Sequence, residues 1–232
     1  MQRGTKLCEE NDSPISSLPG VMAKQLARSL AGQGRSDEAE PIAREAFDIL
    51  LECQSLESGN TTEAFGRLIG IYAESKRPSR ATEFAGSVFA RLRDPSAPLR
   101  IINALTWPIV RRPDLDLQLY TETREMLLPC KDDAMVNAGT ANTIGVAQFR
   151  AGRYEEAIDS LTRADALAVA EKHGEQPGNW AFIPMAHHRL HHHELAQTTA
   201  DRLRELMEDS QNAQNSESQL FLREIETLLA GR

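Results

Sequence analysis

Four alanines at regular spacing constrain the fold of this chain more than any other feature of its sequence. Ala39, Ala81, Ala157 and Ala196 each open the second helix of a predicted helix–turn–helix segment, and 42 residues separate the first two while 39 separate the last two. Periods of this length are typical of repeat proteins, in which each supersecondary unit buries its apolar face against its neighbours. The spacing therefore predicts a chain built from stacked helical hairpins.

Residues at fixed distances before these alanines have matching character. Thirteen residues before each alanine is a large apolar residue that can fill the space between neighbouring hairpins: Leu26, Leu68, Ile144 and Ile183. Five residues before each alanine are the predicted turn residues Gly34, Lys76, Gly152 and His191. Glycine suits this position because it readily adopts the left-handed conformation that ends a helix.

Helical patterning extends from Gly20 almost to the C-terminus. Apolar residues and alanines recur every three or four positions, and almost nothing alternates as a strand would. Leu, Ala, Glu, Arg and Gln, which all favour helices, are abundant. We predict an all-α fold of about five antiparallel hairpins, with helices over residues 21–31 and 37–53, 62–75 and 80–92, 99–110 and 115–128, 138–150 and 154–168, and 180–190 and 194–207.

The two ends of the chain differ from the repeats. Residues 1–19 are polar and predict a mobile tail, residues 20–207 form the repeats, and residues 208–217 form a polar linker. Residues 218–232 are predicted to form a C-terminal capping helix, which covers the end of the stack with a face made of Leu220, Ile225, Leu228 and Leu229.

The pattern resembles the tetratricopeptide repeat. The best match is residues 142–157, which carry that family's small residue at Gly145, turn glycine at Gly152, aromatic residue at Tyr154 and alanine at Ala157. The resemblance implies an α-solenoid wound as a right-handed superhelix. Residues 34–41 look like the 42-residue variety found in kinesin light chains, and residues 103–229 look like the tail of large bacterial signalling proteins, often linked to serine/threonine kinase domains.

Some positions depart from the family pattern. Ile69 and Pro184 replace the small residue in the second and fifth hairpins, and Pro184 is expected to kink or break its helix. The third hairpin, residues 99–128, has no consensus glycine or alanine that can be placed.

The resemblance implies that the first helices of the hairpins line a concave groove that binds a protein or peptide. The predicted groove residues are Lys24, Arg28, Asn142, Val146, Phe149, Arg150, Met185, His188 and Arg189. Arg150 and Arg189 share one repeat position and could pair with an acidic or C-terminal carboxylate segment of the partner. The alternative, that they cap helix ends or are solvated, stays open.

Five histidines between positions 187 and 193 suggest a second class of function. The pairs His187/His191 and His188/His192 would each share a helix face and could bind zinc or nickel if the helix continued, although Glu194 is the only nearby carboxylate. Packing, capping or a pH-sensitive turn are the competing interpretations. The alternatives are thus a metal-binding or catalytic helical protein that uses this cluster, or a self-associating structural module.

Other observations narrow the functional class. The chain has no phosphate-binding glycine loop, no nucleophile elbow and no kinase catalytic motif, so we predict no catalytic residue and no cofactor. A net charge of −8 argues against a nucleic-acid partner, and no apolar run is long enough to span a membrane. Without a secretory signal, and with Cys8, Cys53 and Cys130 predicted to be reduced thiols, we expect a cytoplasmic monomer or weak homo-oligomer.

Overall fold

A computed structural model describes residues 17–92, 97–130 and 136–230. Within these ranges the chain forms twelve α-helices, one 3-10 turn at Leu128–Cys130 and no strand, which confirms the all-α prediction. The helices are α1 Leu18–Gly32, α2 Ser36–Gln54, α3 Gly59–Glu74, α4 Pro78–Phe89, α5 Leu99–Val110, α6 Leu117–Leu127, α7 Ala138–Arg150, α8 Tyr154–Ala170, α9 Pro177–Arg189, α10 His193–Leu206, α11 Ser210–Gln214 and α12 Ser216–Ala230.

Four of the hairpin turns have the same backbone geometry. Each contains a left-handed residue, at φ 75° for Gly34, 55° for Lys76, 77° for Gly152 and 61° for His191. The amide after each of these residues donates to the carbonyl five positions earlier, as Arg153 does to Gln148 at 2.8 Å. This bonding satisfies carbonyls at the helix end that would otherwise lack a donor. The positions aligned in the sequence are therefore equivalent in the structure.

Two of these turns use a residue poorly suited to a left-handed conformation. Replacing His191 with glycine is expected to raise the free energy of unfolding by about 1 kcal/mol, because glycine has no Cβ to clash at positive φ. Urea unfolding followed by circular dichroism measures the change. His193→Gly, at the first residue of α10, serves as the control and should give no such gain, because His193 is not left-handed. A His191→Gly protein less stable than wild type would contradict the prediction.

The third hairpin departs from this geometry, as its sequence suggests. The cap residue of α5, Arg111, has a right-handed conformation at φ −67°, and residues 111–116 contain no left-handed position. Leu115 and Leu119 are buried nonetheless. The segment between α5 and α6 therefore lacks the turn that the other four hairpins share.

The chain divides into two compact units. Unit 1 ends at Leu119, and its core contains an aromatic cluster in which the Phe84 ring centroid lies 5.1 Å from that of Phe47 and 5.3 Å from that of Phe65. Unit 2 begins at Tyr120, and its centre is the tight packing of α7 on α8 at Gly145.

Some expectations about buried positions need correction. Leu68, Ile144 and Ile183 are buried as predicted, but Leu26 is 52% exposed, because α1 belongs to the first described hairpin and no described hairpin precedes it. The neighbouring Ala27 packs in the core instead. Pro184 does not break its helix, since α9 continues through it to Arg189.

The C-terminal region also differs in detail. Residues 1–16 of the predicted tail and residues 231–232 lie outside the described residues, and α1 begins at Leu18. The predicted linker contains the short helix α11, which Asp209 caps. In α12 the buried apolar residues are Phe221 and Ile225, whereas Leu220 of the predicted face is 59% exposed. The position that the prediction gave to Leu220 is therefore taken by Phe221, the next residue.

Two further features bear on the predicted environment of the chain. Cys53 is disulfide-bonded, so the expectation of a reduced thiol is wrong at that position. In the part of the chain that the structure describes, no helix combines the length and the apolar character that crossing a membrane requires.

Candidate functional site

A cleft of about 310 Å³ lies within unit 1 between α3 and α5, with Ala31 of α1 at its edge. We call it the α3–α5 cleft. Its walls combine backbone, one indole and several charged side chains: Gly66, Gly70, Trp107, Arg67, Arg111, Arg112, Glu63 and Glu74. A concave surface with several converging polar groups can orient a ligand, and here most of those groups are charged.

Two glycines of α3 form the wall of the cleft that faces α5. A Cβ atom on Gly66 would lie 3.0 Å from Cγ of Pro108, and one on Gly70 would lie 2.8 Å from Nη2 of Arg112. At Gly66 the close contact with Pro108 depends on the missing side chain, whereas at Gly70 the neighbouring atom is the end of the flexible Arg112 side chain. Gly66 is partly exposed to the cleft, whereas Gly70 is buried.

Arg67 is the half-buried cation of the cleft. Its Nε is buried and has no hydrogen-bond partner among the described residues, and its Nη2 lies 3.7 Å from Oε1 of Glu63. Burial lowers the pKa of Arg67, and the positive charges of Arg28 and Arg111 lower it further. The cleft thus concentrates positive charge that its two glutamates offset only in part.

Lys24 and Glu63 connect α1 to α3 beside the cleft. Lys24, only 3% exposed, donates from Nζ to Oε2 of Glu63 at 2.6 Å and to Oδ1 of Asn60 at 3.0 Å. The hydrogen bond from Lys24 is the main cause of the lowered pKa of Glu63. Of the two groove residues predicted in the first hairpin, Lys24 therefore braces the fold, while Arg28 is exposed beside the cleft.

The groove residues predicted in unit 2 lie mostly inside the protein. Val146, Phe149 and Met185 are buried, and the Asn142 side-chain amide donates to Oδ1 of Asn179 at 2.7 Å. These side chains fill the core around α7 and α9 instead of lining an open surface.

Arg150 and Arg189 differ from one another despite their shared repeat position. The Arg150 side chain is 6% exposed and forms two hydrogen bonds to Glu224 of α12, one of them 2.8 Å from Nη2 to Oε2. Arg189 is exposed at the end of α9. The acidic group predicted to come from a partner is supplied to Arg150 by the chain itself.

The histidine cluster does not form the predicted pairs. Because α9 ends at Arg189 and His191 is left-handed, other histidine rings are neighbours. The ring centroids are 5.7 Å apart in His187/His192, 6.0 Å in His188/His193 and 6.2 Å in His191/His193. The i,i+4 pairs do not share a helix face. Across residues 17–92, 97–130 and 136–230, no three His, Cys, Asp or Glu side chains are grouped to hold a metal ion.

One histidine makes stability depend on pH. Burial, and next the charge of His192, lower the pKa of His187. Below about pH 6.5, the ordinary histidine pKa, the unfolded chain binds more protons at this position than the folded one, so stability falls as the pH falls through that value.

We expect urea midpoints at pH 5.5 and 7.5 to differ less in His187→Gln than in wild type. An equal difference between the two midpoints in His187→Gln and in wild type would contradict this prediction.

The cleft was not predicted, although the repeat positions of two of its residues could have indicated it. Gly66 and Gly70 stand 15 and 11 residues before Ala81, as Lys24 and Arg28 stand before Ala39. The register therefore marks both glycines as groove positions. They were overlooked because a glycine presents no side chain to a partner.

Comparison with known proteins supports the fold alone. No protein-family model and no curated protein matches the chain. Two solved structures from Podospora anserina, described as kinesin light chain with nearly identical tetratricopeptide-like repeats, are 16% identical to it. The first has a TM-score of 0.57, and the match covers 82% of this chain and 95% of that structure's chain. The second has a TM-score of 0.56, and the match covers 91% of this chain and 99% of that structure's chain. The repeated hairpins are thus of the tetratricopeptide-like type.

Proposed function

We propose that this chain is a non-catalytic scaffold or regulatory module that binds a peptide segment of a protein partner in the α3–α5 cleft. The observation that carries the proposal is a cleft in which the Trp107 indole and three arginines stand beside Gly66, a helix position without a side chain. Tetratricopeptide-like hairpins leave the faces of their first helices free to bind extended or helical segments.

The charge of the cleft favours an acidic partner. Arg67, Arg111 and Arg112 line it, and Arg28 acts on it electrostatically. Glu63 is held by Lys24, and Glu74 lies 3.3 Å from Arg112, so both carboxylates already have cationic neighbours. A carboxylate on the partner would gain charge-assisted hydrogen bonds from the guanidinium groups that line the cleft.

The broader expectations stay predictions. These are a continuous concave groove, a link to kinase-associated bacterial signalling proteins, a cytoplasmic location and a monomeric or weakly associating state. Nothing in the geometry of the described residues favours the metal-binding or self-association hypothesis over peptide binding.

Binding of short peptides to the full chain tests the proposal. The probes are three fluorescein-labelled 12-residue peptides with one central tryptophan, and acidic, neutral or basic residues elsewhere. We expect the acidic peptide alone to bind saturably in fluorescence anisotropy. The double variant Arg67→Glu/Arg111→Glu should weaken its binding by at least about tenfold, because it replaces two attractive charges with repulsive ones.

A matched variant separates the cleft from general charge effects. Arg91→Glu/Arg100→Glu changes the net charge of unit 1 equally but lies outside the cleft lining. It should alter acidic-peptide affinity by less than about twofold at 0.15 M salt, where distant charges are screened. Equal losses in both variants, or equal binding of all three peptides by the wild-type chain, would reject the cleft as the binding site.

A further inference from the structure

The middle of α9 has no exposed face. The six consecutive residues 181–186 are all buried. Because an α-helix has about 3.6 residues per turn, the side chains of six consecutive residues point in every direction around its axis. A helix that forms the wall of an open groove keeps one polar, solvated side. In α9 that side is covered, because α8, α10 and α12 all pack against it.

The cover is α12, and it binds as a helical ligand would. The Phe221 ring meets the Phe182 ring edge-on at a centroid distance of 4.9 Å, and Phe182 in turn contacts Phe149 at 5.4 Å. One turn further along, Glu224 accepts both hydrogen bonds from Arg150. An aromatic residue and an acidic residue three positions later thus provide an apolar anchor and a charged one.

The buried anchors of α12 lie along one side of the helix. Its buried side chains, among those described, are Ser218, Phe221 and Ile225. Residues 207–215, which join it to α10, contain only the five-residue helix α11 and no buried residue. Near its C-terminal end, a solvent cleft of about 600 Å³ lies between Leu229 and the His188, His193 and Gln197 side chains.

From these contacts we infer that α12 is a removable internal ligand of a helix-binding surface on α9 and the end of α7. When α12 leaves, the surface takes an amphipathic helix from another polypeptide that repeats the spacing of its anchors: an aromatic residue, an acidic residue three positions later, and an aliphatic residue directly after the acid. This surface is distinct from the α3–α5 cleft and does not depend on the function proposed for it.

A peptide with the sequence of α12 tests the surface in the full chain. The probe is fluorescein-labelled SESQLFLREIETLLA, residues 216–230. In the variant Phe221→Ser/Ile225→Ser the tethered helix loses its apolar anchors while the α9 surface stays intact. We expect the variant to bind the probe at least about tenfold more tightly than wild type, in which the tethered helix competes at high effective concentration.

Hydrogen exchange on the same variant shows whether α12 is removable. Amides of residues 216–230 should exchange faster than in wild type, while those of α7 to α10 keep their protection. If α7 to α10 lose protection together with α12, the helix is an integral part of the fold and the inference is overturned. It is equally overturned if α12 is released but the probe binds no more tightly than to wild type.

A charge exchange tests the recognition itself. A probe with lysine in place of Glu224 should bind the released variant at least about tenfold more weakly than the native probe. Adding Arg150→Glu to the released variant should reverse this preference. An unchanged preference would show that the Arg150–Glu224 contact does not select the ligand, which would overturn the proposed spacing.

Discussion

Replacing Gly145 with valine is expected to destabilise unit 2 by about 3 kcal/mol or more. A Cβ atom on Gly145 would lie 2.6 Å from Cγ of Leu161 and 3.1 Å from its backbone nitrogen. The side chain of Leu161 is fully buried and cannot move aside, and the backbone contact can be relieved only by separating α7 from α8. Overpacking of this kind typically costs 1–3 kcal/mol, and valine adds two methyl groups beyond the Cβ.

Tryptophan fluorescence can report on this unit separately. The chain has two tryptophans, and Trp180 is the one in unit 2, so urea unfolding is followed in a Trp107→Phe background. Gly139→Val is the matched control, since the nearest atom to its added Cβ is Oδ1 of Asn137 at 3.7 Å. The control should stay within about 0.5 kcal/mol of wild type. A similarly small effect at Gly145 would show that α7 and α8 are not held by this contact.

Truncating Phe84 to alanine should destabilise unit 1 by about 3–5 kcal/mol. Its ring is buried, stacks on Phe65 at 5.3 Å and meets Phe47 edge-on at 5.1 Å, and the Arg44 guanidinium lies 4.9 Å from its centroid. Alanine removes these contacts together and leaves a cavity at the junction of α2, α3 and α4, which packed neighbours can fill only in part.

The reporter for this change is Trp107, in a Trp180→Phe background, because Trp107 belongs to unit 1. Leu117→Ala provides the control, as that side chain is 64% exposed and its loss should alter stability by less than about 0.5 kcal/mol. Phe84→Leu, which fills most of the cavity, should recover more than half of the loss. If Phe84→Ala and Leu117→Ala had similar midpoints, the aromatic cluster would not be the core of this unit.

The hairpins could be predicted because their determinants are local. Hydrogen bonds between residues a few positions apart determine where a helix ends. Gly34 and Gly152 therefore predicted turns that the structure contains. His191 and Lys76 were placed at the same turns by spacing alone, and they adopt the same left-handed conformation despite their unsuitable side chains. The small residue at Gly145 was likewise predicted, and Leu161 now shows why it is needed.

It was harder to predict which faces of these helices are exposed to solvent and which are buried. The repeat register marks the same positions in each hairpin, yet Val146 and Met185 are buried while Arg28 is exposed. Whether such a position is open depends on which other segment packs over it. The predicted i,i+4 histidine pairs do not form because they required a continuous helix, and α9 ends two residues before His191.

What the amino-acid sequence determined by itself is the number of main helices, the position of their turns and the tetratricopeptide-like pairing, because these follow from contacts between residues close together in the chain. Only the tertiary structure decided that Arg150 is bonded to Glu224, 74 residues away, and that Gly66 and Gly70 form the wall of a basic cleft. Such contacts depend on how separate helices pack, and the repeat pattern is the same whether a helix face meets solvent, a partner or another part of the chain.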